Sequence, residues 1–247
     1  MSRLFLHLAS VLLLGGTLQA ATVTIGVEDI DYLPCWGVRN HEYTGFARDL
    51  FDAFAKDTGT TIVYRPMPVK RLLGAMLTGE VDAKFPDNAL WAQDARKSAK
   101  VVYSAGVLEF IDGVMVPKAN IGRGTDTLKT LATVRGFTPF PYLDRISAGK
   151  IAVAEQNDYP TLIEFVVRGR ADGVYGSIIC ATAELKKRKA NAQELVFDPQ
   201  LPHDRNFYHL SSVTKPDLVQ AFDAWLASHA DQVKLLKDVS GVTLEQP

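Results

Sequence analysis

The chain has little cysteine, no excess of charge of either sign and, beyond its first twenty residues, no long apolar run. Each shortage removes a class of protein. Two cysteines, Cys35 and Cys180, exclude a disulfide framework. They stand far apart in the sequence and are expected as two buried free thiols, with a disulfide between them the alternative in an oxidising compartment. With 27 basic and 28 acidic residues and no basic block, nothing marks an electrostatic footprint for nucleic acid or an anionic membrane surface. The partner is therefore expected to be small or a protein. Five histidines stand at scattered positions, and no His, Cys or carboxylate group has zinc-ligand spacing, so neither a metal nor another cofactor is expected. There is no Gly-x-x-x-x-Gly-Lys phosphate loop and no Gly-x-Ser-x-Gly nucleophile turn. "GRGT" at 122–125 lacks the following helix that anion cradling needs and reads as a loop.

What is present begins with "MSRLFLHLASVLLLGGTLQA", an early Arg, an apolar middle and a small final residue. This predicts a cleaved secretory signal over residues 1–20. Its apolar run is shorter than the roughly 20 residues that cross a bilayer, and no cysteine stands near the cut for a lipid, so no membrane anchor is expected. The expectation is a soluble, exported, periplasmic protein.

The rest of the chain alternates. "TVTIGVED" predicts a strand, and "FARDLFDAFAKDTG" a helix with Phe46, Leu50, Phe51 and Phe54 on one face and Gly59 as its C-terminal cap. "TIVYRP" predicts a strand, "VKRLLGAMLTG" a helix burying Leu72, Leu73, Met76 and Leu77, and "VDAKF" another strand. A second unit follows, with strands at "FIDGVMVPK", "LATVRGF", "KIAVAEQ" and "ADGVYG" and a helix at "YPTLIEFVVRGR". After "NFYHLSSV", the stretch "PDLVQAFDAWLASHADQVKLLKDV" predicts helix with a core stripe of Leu218, Phe222, Trp225 and Leu226. The alternation predicts an α/β fold with a parallel sheet, arranged as two lobes. "KFPDNALW" then falls at the carboxyl end of a strand, where open α/β sheets place their ligands, and is expected to form a binding floor.

Order and wording together resemble the extracellular solute-binding proteins of family 3, the amino-acid-type receptors of ABC importers. "VTIGVEDIDYLPCW" is similar to the family's opening strand and aromatic-proline turn, and "YTGFARDLFDAFAKDTGTTIVYRP" to its Gly-Phe-x-x-Asp-Leu helix and next strand. "LLGAMLTGEVDA", "VVYSAG", "LIEFVVRGRADGVYGS" and "NFYHLSSVTKPDLVQAFDAWL" continue the likeness over nearly the whole chain. The resemblance implies a type II periplasmic-binding-protein fold with two hinge crossings. Lobe 1 would be residues 22–112 plus 213–247, and lobe 2 residues 113–212. A ligand would be held between them by hinge closure. It also implies a monomer with a small-molecule ligand and an inner-membrane ABC permease as partner.

Carried onto this chain, the family's carboxylate-gripping arginine corresponds to Arg96, once two extra loop residues are admitted; Arg71 and Arg135 are substitutes. Where the family has small hydroxyl residues this chain has Pro86, Asp87 and Ala89, with Asn88 between them. Val69 stands in place of the expected aromatic platform, which Tyr32, Trp36, Phe85 or Trp91 can replace. Thr138 matches a threonine at a helix start, a place suited to an anionic group. Ser177 stands where the family commonly has an Asp for the ligand ammonium, so Asp29 or Asp87 would have to supply that charge. The function expected is capture of a small polar, carboxylate-bearing solute without catalysis. Two alternatives stay open. One is an exported enzyme resembling cyclohexadienyl dehydratases, with Asp87, Glu155 or Asp158 as the acid or base; the other is a ligand-sensing module for a membrane receptor.

Overall fold

A computed structural model describes residues 22–188 and 195–244; the expected signal segment lies outside the described residues. The chain enters as β1 (Thr22–Glu28) and turns through a small antiparallel sheet of β2 (Asp31–Tyr32), β3 (Trp36–Arg39) and β4 (Glu42–Thr44). Helix α1 (Phe46–Thr58), β5 (Thr61–Met67), α2 (Val69–Leu77), β6 (Ala83–Asp87), the single turn α3 (Gln93–Arg96) and β7 (Val102–Tyr103) complete the first unit. The long β8 (Leu108–Pro117) then leads into β9 (Thr130–Val134), α4 (Leu143–Ser147), β10 (Ala152–Gln156), α5 (Tyr159–Val167), β11 (Gly173–Ser177), α6 (Ile178–Lys187) and β12 (Leu195–Phe197). Strand β13 (Asp204–Ser212) returns to α7 (Pro216–Ser228) and α8 (Ala230–Ser240).

The elements follow from local pattern where one face is apolar. Phe46, Leu50, Phe51 and Phe54 of α1 are all buried, and the helix ends on Gly59, whose φ of 69° lets its N–H donate to Ala55 O. On α2 the buried residues are Leu72, Ala75 and Met76; Leu73 and Leu77 are only half-buried, and Leu73 faces the cleft. The helix lies so close to β1 that a Cβ at Gly26 would meet Leu72 Cδ1 at 2.6 Å. The C-terminal stretch forms two helices rather than one. His229 leaves helical geometry at φ −119° and ψ 30°, its ring stacks on Trp225 with centroids 4.9 Å apart, and α8 turns back onto α1. The buried stripe of α7 is Val219, Phe222 and Trp225, with Leu218 and Leu226 half-buried at its edge.

The main sheet runs β10-β9-β11-β8-β13-β6-β1-β5. Pairing is parallel at both ends, where β5, β1 and β6 form one group and β10, β9 and β11 the other. The expected parallel sheet is corrected in the middle: β8 lies antiparallel to β11 and β13, and β13 antiparallel to β6. These two strands carry the chain from one half to the other and back, so they run against their neighbours. The expected lobe boundary at 112 falls inside β8, and that at 212 is the last residue of β13. One apolar cluster extends from Ile25, Phe51 and Phe85 through Phe110 and Tyr208 to Leu162 and Val174, so both halves pack on the crossing strands.

Candidate ligand-binding site

A cavity of about 350 Å³ lies between the halves, at the carboxyl ends of the parallel strands. The first half contributes Glu28 from the end of β1, Tyr32 and Trp36 from the small sheet, Val69 and Leu73 from α2, and Lys84, Pro86, Trp91 and Arg96 from β6 and after. Asp112 and Tyr208 come from the crossing strands, and Gly136, Phe137, Thr138 and Tyr175 from the second half.

Aromatic rings form much of the wall. Tyr32 stacks on Trp36 at 4.7 Å between centroids and meets Phe137 and Tyr159 edge-on at 5.5 Å and 5.2 Å. Tyr208 stacks on Phe110 at 4.4 Å and meets Trp36 and Trp91 at 5.0 Å and 5.9 Å. Rings from both halves thus form one connected wall, offering broad apolar faces with a few polar edges.

Two sets of charged groups differ in how their hydrogen bonds are used. Below the first half, Asp87 is wholly buried and holds two cations. Arg96 donates from Nη2 to Asp87 Oδ1 at 2.7 Å and from Nη1 to Oδ2 at 2.9 Å, the bidentate fork of a strong guanidinium–carboxylate pair. Its remaining bonds go to Trp91 O and Tyr103 Oη, both at 2.8 Å. Lys84 Nζ donates to Asp87 Oδ1 at 2.9 Å and to Pro86 O, and Ser211 Oγ donates to Asp87 Oδ2. Burial opposes ionisation of Asp87, but Lys84, Arg96 and the hydrogen bonds from Arg96 and Ser211 together hold its carboxyl below the ordinary range.

The other set is acidic and incompletely bonded. Glu28 accepts from Trp36 Nε1 at 3.2 Å; burial pushes its carboxyl up to about 7, with Lys84 and the indole acting in the opposite direction. Asp112 pairs in register with Ser177 on β11 and with Asp204 on β13, so the three side chains share a face of the sheet. Asp112 as a residue is half-buried, because it forms part of the cavity wall, yet its Oδ1 is enclosed and has no hydrogen-bond partner among the described residues. Enclosure first, then repulsion from Asp204 and Glu28, pushes this carboxyl up to about 7. Ser177 Oγ, wholly buried beside it, also lacks a partner among the described residues.

Of the residues singled out in the sequence, Tyr32, Trp36, Trp91, Arg96 and Thr138 line the cavity. Asp87 and Phe85 stand behind the lining, Asp87 as the counter-ion of Lys84 and Arg96 and Phe85 edge-on to Trp36 in the core. Asn88 is buried and spends its side chain on Phe207 O and Leu90 N, both at 2.9 Å. Ser177 is enclosed next to Asp112, and its N–H donates to Tyr159 Oη at 2.9 Å. Asp29, Arg71 and Arg135 are exposed and outside the lining; Arg71 pairs with Glu80 at 2.7 Å and Arg135 stands 4.0 Å from Glu155. Glu155 also lies outside the lining, and Asp158 caps α5 by accepting from Thr161 N. Sequence reading passed over Glu28, Asp112, Phe137, Tyr175 and Tyr208, and took Lys84 only as part of the stretch "KFPDNALW". Asp112 had a signal, since it is a carboxylate inside the apolar run "FIDGVMV".

A cleft between two halves of one sheet, crossed by two strands and lined at strand ends, defines a two-lobed binding-protein fold of the periplasmic type II class. Residues 23–235 match the model of the bacterial extracellular solute-binding proteins, family 3, and the chain belongs to that family. Solved structures agree in fold. A mutant of ArgBP from T. maritima has a TM-score of 0.70 and 20% identity, covering 90% of this chain and 96% of that one. The ancestral amino acid-binding protein AncCDT-1, a precursor of cyclohexadienyl dehydratase, has a TM-score of 0.68 and 20% identity, covering 89% and 95%. A histidine kinase sensor domain with similarity to periplasmic binding proteins has a TM-score of 0.71 and 16% identity, covering 92% and 99%. No curated protein matches the chain in direct sequence comparison.

Proposed function

We propose that the chain is an exported, periplasmic, monomeric binding protein that captures a small zwitterionic solute, an amino acid or a derivative, and delivers it to an ABC permease. The solute-binding family and its amino-acid-binding structural relatives support the general reading. The observation that carries the ligand class is Asp112, a carboxylate on the cavity wall that enclosure and the neighbouring Asp204 and Glu28 disfavour in its charged form until a cationic group faces it. Asp112 would take the ammonium, between aromatic faces that favour a cation. Lys84, which has one N–H beyond its bonds to Pro86 and Asp87, would take the carboxylate, with Arg96 as its support. Closing the halves over a bound solute stabilises the closed form only if that form binds better, and here both crossing strands and both halves supply contacts.

The test is thermal unfolding of solute-stripped protein with a panel of amino acids, opines, polyamines and organic acids. A ligand at about a hundred times its dissociation constant adds roughly 2.7 kcal/mol to the folded state. Zwitterions should raise the midpoint, and Asp112→Asn should abolish the rise for amines while leaving a cooperative transition. A panel that shifts nothing, or a response that survives Asp112→Asn, counts against the proposal.

A second reading, an exported enzyme of the dehydratase kind, has one observation of its own. Glu28 and Asp112 both titrate near 7 in the cleft, the range suited to a general acid at neutral pH. Turnover of a prephenate-like compound, lost in Glu28→Gln, separates it from capture.

A further inference from the structure

The two cysteines of the chain come from opposite sides of the cleft. Cys35 lies in the turn between β2 and β3, Cys180 in the first turn of α6, and their Sγ atoms are 3.6 Å apart across 145 positions of sequence. Both are buried, and Cys180 Sγ also rests 3.3 Å from Tyr32 O, on the cavity wall. Cys35 belongs to the first half and Cys180 to the second, so the contact joins the halves. Tyr32 against Phe137 and Tyr159, and Val69 against Gly136, belong to the same seam.

We propose that Cys35 and Cys180 form a redox latch, in which a disulfide between them ties the halves in the closed arrangement and reduction frees them. The latch rests on the hinge closure proposed above. In the closed form neither sulfur meets solvent, and burial and the neighbouring Cys35 push the Cys180 thiol up, so the reactive thiolate is suppressed. The chemistry therefore starts from the open form. One cysteine thiolate attacks a low-molecular-weight disulfide, RSSR, forming a mixed disulfide and releasing one RS⁻. The second cysteine, ionised while still exposed, meets the first as the halves come together and displaces the other RS⁻. The two thiolates leave with the two cysteine protons as RSH, and two electrons pass from the cysteines to the small disulfide. An oxidising compartment favours that direction. An occupied cleft latched in this way cannot release its solute until the bond is reduced.

The experiment uses the exported protein, stripped of solute, reduced, and then treated with oxidised glutathione. Intact mass and peptide mapping follow the thiols, while small-angle X-ray scattering follows the halves. The expected result is a loss of about 2 Da with the Cys35 and Cys180 peptides joined. The reduced protein should be extended and the oxidised protein compact without any added solute, and dithiothreitol should restore the extended form. Cys35→Ser and Cys180→Ser should each gain only a glutathione adduct and stay extended. If either variant fails to fold, the wild-type cycle of oxidation and reduction carries the test alone. Thiols that remain free or glutathionylated in an extended protein overturn the latch and leave closure standing. A linked protein whose scattering stays extended also overturns it. A reduced protein already as compact as the oxidised one overturns both, because there is then no opening for a latch to prevent.

Discussion

Two charged clusters meet the same cleft and are built on opposite terms. In the first half, Asp87 has its oxygens taken up by Arg96, Lys84 and Ser211, and Arg96 has its fork closed on Asp87. On the crossing strand, Asp112 and its neighbour Ser177 keep buried oxygens without partners among the described residues. A completed network of buried charges gives little to a ligand and a great deal to the position of its members. An incomplete one costs stability in the empty protein and returns it when a ligand arrives. The arginine that resembles an amino-acid anchor in sequence thus lines the cavity with its guanidinium fork closed on Asp87. Asp112, the carboxylate proposed above to face the ammonium, stands in the apolar run "FIDGVMV" of the crossing strand.

Breaking the completed network should have the largest effect. Asp87→Ala strands Lys84 and Arg96, which are 6% and 8% exposed, without their counter-charge. Removing one partner of a buried pair costs about 3–5 kcal/mol. Chemical denaturation should show that loss, while a change under about 1 kcal/mol would mean that water reaches the cations and that the cluster is open after all.

The incomplete network is sharpened next, by pH. Glu28 and Asp112, both raised to about 7 in the folded protein, keep protons that the unfolded chain has released once the pH passes its ordinary carboxyl values of 4.5 and 3.8. Stability of the empty protein should therefore fall as pH rises from about 5 to 7 and level off above, by on the order of 2–4 kcal/mol. Asp87 acts in the opposite sense, but its lowered pKa confines it to pH values under 3.8, outside that window. Asp112→Asn should remove part of the slope. A flat profile between pH 5 and 7 would mean that these carboxyls are ordinary and solvated.

The same contrast explains what the sequence could convey. Helix α1 was legible because the spacing of Phe46, Leu50, Phe51 and Phe54 and its glycine cap are local. The break at His229 was not, since apolar periodicity continues through a residue whose backbone alone departs from the helix. The antiparallel middle of the sheet was hidden in the same way, because β8 reads as an ordinary strand until its partners β11 and β13 are known. The expected strand stop at Pro86 is one residue early, since β6 runs through Pro86 to Asp87, and the stretch after it brings Trp91 and Arg96 to the cavity. The division of labour in the site was not legible: Arg96 finds Asp87 nine positions back only when α3 folds over the end of β6. Asp112 meets Ser177 and Asp204 only through strand pairing between distant segments.

The smallest effect concerns a residue outside both clusters. Arg71 has the right charge and stands at the start of α2, whose Val69 and Leu73 do line the cavity, so it is a reasonable candidate from sequence for an anionic group. Helical geometry decides otherwise, because residues two apart on a helix do not share a face. The side chain points instead to Glu80, which also pairs with Arg65 at 2.7 Å, and it remains 59% exposed. An exposed pair of this kind contributes about 0–1 kcal/mol, and Arg65 is still there to neutralise Glu80 when Arg71 is gone. Arg71→Ala should therefore change stability by no more than a few tenths of a kcal/mol. It should also leave unchanged the midpoint shift given by any solute that stabilises the parent protein. If that shift were lost while the solute-free midpoint held, the anionic end of the ligand would reach past Lys84 to the outer face of α2. The cleft would then extend beyond the cavity drawn by its rings and crossing strands.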